Sequence, residues 1–323
     1  MSRRLLRFVG PGEIEIDTEP IPTPDPGEVL VETACSGISP GTELMLFRGE
    51  APTDLPADET IAALSGDLSY PTTYGYACVG RVSEVGGGVA EEWLDRRVFA
   101  FQPHASHFTA SPDELVPIGD YSPDRATLLP HVETALSICM DARPTIGERA
   151  GVFGQGLIGL LTTQMLAAHP LAELSTVDGS EDRRERSLAL GADRSVGSEE
   201  LLSELDCAIE LSGNPAALDS AIGATGYGGR VIVGSWYGAK RVDLDLGGRF
   251  HRSRISIESS QVSTIAPRLR GRWDTDRRLS IATAWLSRVD PDTFLTHQFS
   301  VEEATEAFRL LDRREAVGVV LTY

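Results

Sequence analysis

Apolar residues change their spacing at two places along the chain. Up to residue 124 they alternate with polar residues in short runs: Glu13-Ile-Glu-Ile-Asp17, Glu28-Val-Leu-Val-Glu-Thr-Ala34, Gly80-Arg-Val-Ser-Glu-Val85 and Arg97-Val-Phe-Ala-Phe101. A period of two turns one side of the chain to a core and the other to water, so these runs predict half-buried strands. The proline-rich stretch from Pro20 to Gly27 and the Gly86-Gly87-Gly88 turn separate them. Residues 51–70, with their aspartates, prolines and small side chains, read as an exposed insertion.

From Arg125 to Ala142 the spacing suits a helix. Strand-length apolar runs then alternate with helical patterns. The strands are Ala150–Phe153, Leu171–Val177, Asp206–Leu211, Gly229–Gly234 and Arg254–Glu258; the helices are Leu157–Ala168, Glu181–Leu190 and Pro215–Ala224. Alternation of this kind predicts an α/β fold, a parallel sheet wound on both faces by helices. Beyond residue 262 the chain turns helical over Asp276–Ser287 and Val301–Leu311, then closes on an apolar strand, Ala316–Tyr323. Three segments follow: a β-rich domain over 1–124, a sheet-and-helix domain over 125–262, and a C-terminal segment over 263–323.

Between the first parallel strand and its helix lies Gly154-Gln155-Gly156-Leu157-Ile158-Gly159, with glycines at Gly-x-Gly-x-x-Gly spacing. The first glycine permits a tight turn, the second lets backbone approach a pyrophosphate, and the third lets helix pack on strand. The helix beginning at Leu157 and Ile158 then presents unpaired N–H groups to the phosphates. Asp178 follows Gly154 by 24 residues, at the end of the next strand, where a carboxylate can accept from ribose hydroxyls. Its charge disfavours a 2′-phosphate, so NAD is expected before NADP, although Arg183 and Arg184 stand close enough to hold a phosphate. The plainer alternative is that Asp178 caps the helix near Glu181. Ser212-Gly213 and Gly234-Ser235 end the next two strands, where small residues let ribose and nicotinamide lie against backbone; ordinary turn glycines are the alternative. A methyltransferase shares the glycine turn and acidic residue, but the β-rich domain placed first argues against one.

A net charge of −19 argues against a nucleic-acid or anionic-membrane partner, because such binding needs a basic face. Lys240 is the only lysine, so arginine supplies every other side-chain cation. A salty cytoplasm or GC-rich coding would each give that composition. Cys35, Cys78, Cys139 and Cys207 are far apart and lie in apolar stretches, which predicts buried free thiols rather than a metal knot. No apolar run reaches the roughly 20 residues that cross a bilayer. A cytoplasmic protein is expected.

Ala34-Cys-Ser-Gly-Ile-Ser-Pro-Gly-Thr-Glu43, Tyr74-Gly-Tyr-Ala-Cys-Val-Gly-Arg-Val82, the glycine turn and Asp178 together resemble the medium-chain dehydrogenase/reductase (alcohol dehydrogenase) superfamily. The resemblance covers nearly the whole chain. It implies a GroES-like catalytic domain before a Rossmann domain, and a C-terminal return to the first. It also implies an NAD(P)-dependent oxidoreductase acting on a small molecule, and a homodimer paired near Arg254–Glu258. Within the superfamily, Ile38-Ser-Pro-Gly-Thr-Glu43, Pro103-His-Ala-Ser-His107 and Gly234-Ser-Trp-Tyr-Gly238 resemble the bacteriochlorophyllide 2-hydroxyethyl dehydrogenase-like subgroup.

The departures concern metal. At the positions of the family's zinc ligands this chain carries Ser39, Tyr76 and, within a residue or two, His131. A hydroxyl and a phenol are poor zinc ligands and one imidazole does not suffice, so no zinc is expected. A metal held by His104, His107 and His131 is the alternative. Without zinc the substrate oxygen needs a hydrogen-bonding group. Tyr76 is the candidate donor, with Glu43, Thr42 and His131 continuing a proton path. Tyr76 could equally be packing, and Glu43 could simply pair with Arg48. Two further readings stand beside this one: a zinc-free quinone or enone reductase, and a non-catalytic dinucleotide-binding protein.

Overall fold

The computed structural model describes residues 2–58 and 60–323. They fall into two units, one made of residues up to Pro130 together with Thr283–Tyr323, the other of His131–Ala282. In chain order the first strands are β1 (Ser2–Gly10), β2 (Glu13–Pro20), β3 (Val29–Ile38), β4 (Cys78–Val85), β5 (Arg97–Ala100), β6 (His107–Ala110) and β7 (Leu115–Pro117). The second unit holds β8 (Arg149–Phe153), β9 (Glu173–Val177), β10 (Arg194–Val196), β11 (Leu205–Glu210), β12 (Thr225–Val233) and β13 (Ser256–Ser259). Strands β14 (His297–Ser300) and β15 (Val319–Thr322) belong to the first unit again.

In that first unit a seven-stranded sheet runs β14-β15-β3-β4-β5-β7, with β6 also paired to β3, while β1 and β2 form a separate antiparallel ribbon. Strand β3 shows why the sequence pattern works: Val31, Thr33 and Cys35 are buried while Glu32 and Ala34 face out. The C-terminal strand β15 completes the sheet by pairing antiparallel to β3, with Leu321 opposite Ser36. The core gathers around Phe8, Phe47 and Phe308, whose ring centroids stand 5.3 and 5.4 Å apart pairwise from Phe308.

One expectation fails here, and one helix went unread. Residues 51–70 are not simply exposed, because Leu64 and Leu68 are each only 2% accessible and pack into that same core. A helix over Thr42–Arg48, α1, carries no readable period, since Glu43 through Phe47 are all buried. A helix buried on every side shows no polar stripe. Gly49 ends it at φ 72°, a left-handed cap.

The helix expected over 125–142 is two. Helix α2 (Pro123–Ala126) stops at Thr127, whose hydroxyl donates to the Asp124 carbonyl at 2.6 Å. Helix α3 (Leu129–Ala142) then starts afresh with Pro130, which has no N–H to give to a preceding turn.

The second unit is a parallel sheet in the order β10-β9-β8-β11-β12-β13. The chain builds outward from β8 to β10 on one side, then returns to lay β11 against the other side of β8. That reversal is the topological switch point, where ligands lie beyond the carboxyl ends of the strands. Helices α4 (Leu157–Leu166), α5 (Glu181–Ala189) and α6 (Pro215–Ala224) connect the strands. Phe153, Ala208, Leu218, Ile222 and Val231 form part of its core. Helices α7 (Thr275–Trp285), α8 (Pro291–Phe294) and α9 (Ala304–Asp312) follow. Among the described residues no helix is long and apolar enough to cross a membrane.

Candidate active site

The three glycines occupy the turn between β8 and α4, at the switch point. Gly154 sits at φ +96°, and a Cβ there would stand 2.7 Å from the backbone of Ser212. At Gly159 a Cβ would meet the Gly154 carbonyl oxygen at 2.0 Å, so helix and turn touch only because it has none. Gly156 differs: nothing lies within 4 Å of its would-be Cβ. It precedes the first turn of α4, where no side chain caps the amides of Leu157 and Ile158. Open space over bare N–H groups is what a pyrophosphate requires.

Asp178 does more than end β9. Its Oδ2 accepts the backbone N–H of Gln155 at 2.7 Å and its Oδ1 accepts that of Ser180 at 2.8 Å. One carboxylate therefore fixes the glycine turn to the next strand end. Arg184 donates to the carbonyls of Asp178 and Gly179, and Arg183 lies beside it on α5.

Across the switch point, Ser212-Gly213 follows β11 and Gly234-Ser235 follows β12. The Gly213 N–H donates to Ser235 Oγ at 2.9 Å. Behind both pairs stands Glu210, completely buried. Its Oε1 accepts the Ser212 N–H and hydroxyl, each at 2.6 Å, and its Oε2 accepts the Tyr237 phenol at 2.6 Å. Burial, then this hydrogen bond and the Glu210 charge, push the Tyr237 phenol up. Glu210 escaped the sequence reading; its signal was a lone carboxylate in the apolar run Cys207-Ala-Ile-Glu-Leu211.

The first unit has its own polar cluster. Tyr76 is half-buried and donates its phenol proton to Ser39 Oγ at 2.5 Å. The Ser39 N–H donates to Glu43 Oε1 at 2.8 Å, and Glu43 Oε2 meets His104 Nε2 at 2.7 Å. Burial, then the charge of Glu43, push the Tyr76 phenol up to about 12, while hydrogen bonds from Ser39 and Thr42 act the other way. Glu43 does not pair with Arg48, which bonds Asp312 instead. His107 turns to Ser106. His131 lies buried in the first turn of α3, in the second unit. The four cysteines are free and buried, their thiols pushed up by burial.

Residues 158–277, all within the second unit, match the family described as zinc-binding dehydrogenase. A sorbitol dehydrogenase from Gallus gallus is 24% identical, over 96% of this chain and 93% of that one. An (R,R)-butanediol dehydrogenase from Bacillus subtilis is 27% identical, over 81% of this chain and 84% of that one. Among solved structures, a short chain alcohol dehydrogenase (rspB) from Escherichia coli complexed with NADH superposes with a TM-score of 0.80 at 18% identity, covering 100% of this chain and 99% of the other.

Proposed function

We propose that the chain is a medium-chain dehydrogenase/reductase that transfers hydride between NAD and an alcohol or carbonyl substrate without a catalytic zinc, a reading supported by the zinc-binding dehydrogenase match over 158–277 and by the two full-length dehydrogenase relatives. The glycine turn locked to Asp178 carries the cofactor half. Leu157 and Ile158 amides take the pyrophosphate over the open Gly156, and the Asp178 charge selects against a 2′-phosphate, which favours NAD over NADP. Ser212, Gly213, Gly234 and Ser235, held from behind by Glu210, supply the small-residue edge for the nicotinamide side. When bound, the cofactor supplies or accepts the hydride.

Tyr76 carries the proton half. A phenol pushed up to about 12 stays protonated near neutral pH and can donate a hydrogen bond to a carbonyl oxygen. The residues at the family's ligand positions do not fit a zinc. The Ser39 hydroxyl is neutral and already accepts from Tyr76, and Glu43 behind it has both oxygens engaged by Ser39 N–H and His104. A zinc site needs about three nitrogen, sulfur or carboxylate ligands. We further propose that the homodimer contact lies at β13, which stands at the edge of the parallel sheet, where a second chain could add its own strand.

NADH and NADPH binding should be measured by fluorescence beside metal content, sedimentation and turnover on alcohols, aldehydes, enones and quinones. NADH binding with carbonyl turnover and no stoichiometric metal supports the reading. One zinc per chain overturns its zinc-free part, activity confined to enones or quinones replaces its substrate class, and binding with no turnover at all makes the protein a non-catalytic dinucleotide binder.

A further inference from the structure

Strand β11 ends on a charge that no cation meets. Glu210 is its last residue and is completely buried. In the sheet it lies between Phe153 of β8 and Val233 of β12, each one position before the glycine that follows its strand. The Gly234 N–H donates to the Glu210 carbonyl at 3.0 Å. The carboxylate itself takes the Ser212 N–H, the Ser212 hydroxyl and the Tyr237 phenol. Among the described residues these three donors are its partners, and none carries a positive charge. Burial, then the hydrogen bond and the charge it meets, push the Tyr237 phenol up, so that group keeps its proton and donates it toward Glu210.

A buried charge is normally paired with an opposite charge, because neutral donors offset only part of the hydration it has lost. In the same unit Glu133 meets Arg278 at 3.1 Å, and Glu148 meets Arg230 at 2.7 Å. Glu210 has no such partner. It stands at the carboxyl end of its strand beside the switch point, where a ligand of an open parallel sheet lies.

We propose that the partner is the cofactor: the charge of Glu210 favours NAD⁺ over NADH at this site, with the positive nicotinamide ring as its counter-ion. The proposal rests on the reading of Ser212, Gly213, Gly234 and Ser235 as the nicotinamide edge. The nicotinamide of NADH is uncharged. Once its hydride has passed with the electron pair to the substrate carbon, the ring carries one positive charge. A fixed negative charge in buried surroundings lowers the energy of that second state and leaves the first nearly unchanged. The effect has a direction. It favours carbonyl reduction, during which the positive charge develops, and it holds the oxidised product more tightly.

The test compares the two forms on the whole protein, NADH by its fluorescence and NAD⁺ by displacement of NADH. E210Q keeps the shape of the side chain and removes its charge. NAD⁺ affinity should fall about tenfold further than NADH affinity, the scale of one unit charge acting across several ångströms of protein. ADP-ribose, which carries no nicotinamide, should follow NADH and not NAD⁺. E210D keeps the charge on a shorter stem, so its ratio of NAD⁺ to NADH affinity should match wild type even where both affinities drop. If E210Q does not fold, E210M combined with Y237F replaces carboxylate and phenol by apolar groups and carries the same expectation. An equal loss for NAD⁺ and NADH overturns the proposal and leaves Glu210 a plain support of the nicotinamide edge. Unchanged affinities for both overturn it together with the reading of that edge.

Discussion

Asp178 accepts the backbone N–H of Gln155 at 2.7 Å, so the carboxylate at the end of β9 is part of the glycine turn and not a bystander beside it. Removing that carboxylate loosens the turn and also frees the site from a charge that repels a 2′-phosphate. D178A is expected to weaken NADH binding by roughly tenfold or more, the scale of a hydrogen bond to a charged group. NADPH binding should weaken less, with Arg184 close by. Fluorescence titration with both cofactors checks this, and an equal loss for each would contradict the ribose role.

The glycines separate into two kinds of substitution. G159A puts a methyl 2.0 Å from the Gly154 carbonyl oxygen, so both thermal stability and cofactor binding should drop. G156A meets open space, so the protein should keep its melting temperature and lose NADH affinity. Calorimetry beside binding reads the difference. A G156A protein that bound NADH normally would place the pyrophosphate elsewhere.

Y76F keeps the ring and removes the hydroxyl with its proton. Loss of a positioned acid lowers turnover by about 10²- to 10⁴-fold. Steady-state kinetics should show that loss in kcat with carbonyl substrates, at unchanged KM for NADH. Full activity would demote Tyr76 to packing.

Glu148 and Arg230 form a two-pronged pair in the second unit, Oε1 to Nη1 at 2.8 Å and Oε2 to Nη2 at 2.7 Å. The Arg230 hydrogen bond, ahead of the opposing burial, holds the Glu148 carboxyl below its ordinary range. A carboxyl lowered by folding stabilises the protein above its unfolded value of 4.5, and that contribution disappears as pH falls through the lower folded value. Acid unfolding of wild type should therefore steepen below pH 4.5, and E148Q should flatten that part of the curve. Parallel curves for the two proteins would show the pair to be inert.

The sequence by itself carried the order of strands and helices in the second unit and the place of its glycine turn, though not the unit's bounds, which fall at His131 and Ala282 rather than at 125 and 262. Gly154 and Gly159 meet steric limits and Asp178 makes its hydrogen bonds within one strand–turn–helix–strand stretch, so local spacing makes their geometry legible. Helix α6 over Pro215–Ala224 matched its expectation residue for residue, because proline at its start and its apolar face are local signals. Contacts between distant residues were not legible, even where the residues themselves stood out. Glu43 and His104 are 61 positions apart, Ser36 and Tyr323 are 287 apart, and Glu210 bonds Tyr237 across two strand ends. In the sequence His104 is one histidine among six and Glu43 one acid among 48. Only the tertiary fold decided that they face each other in buried surroundings, where each donor or charge must find its partner.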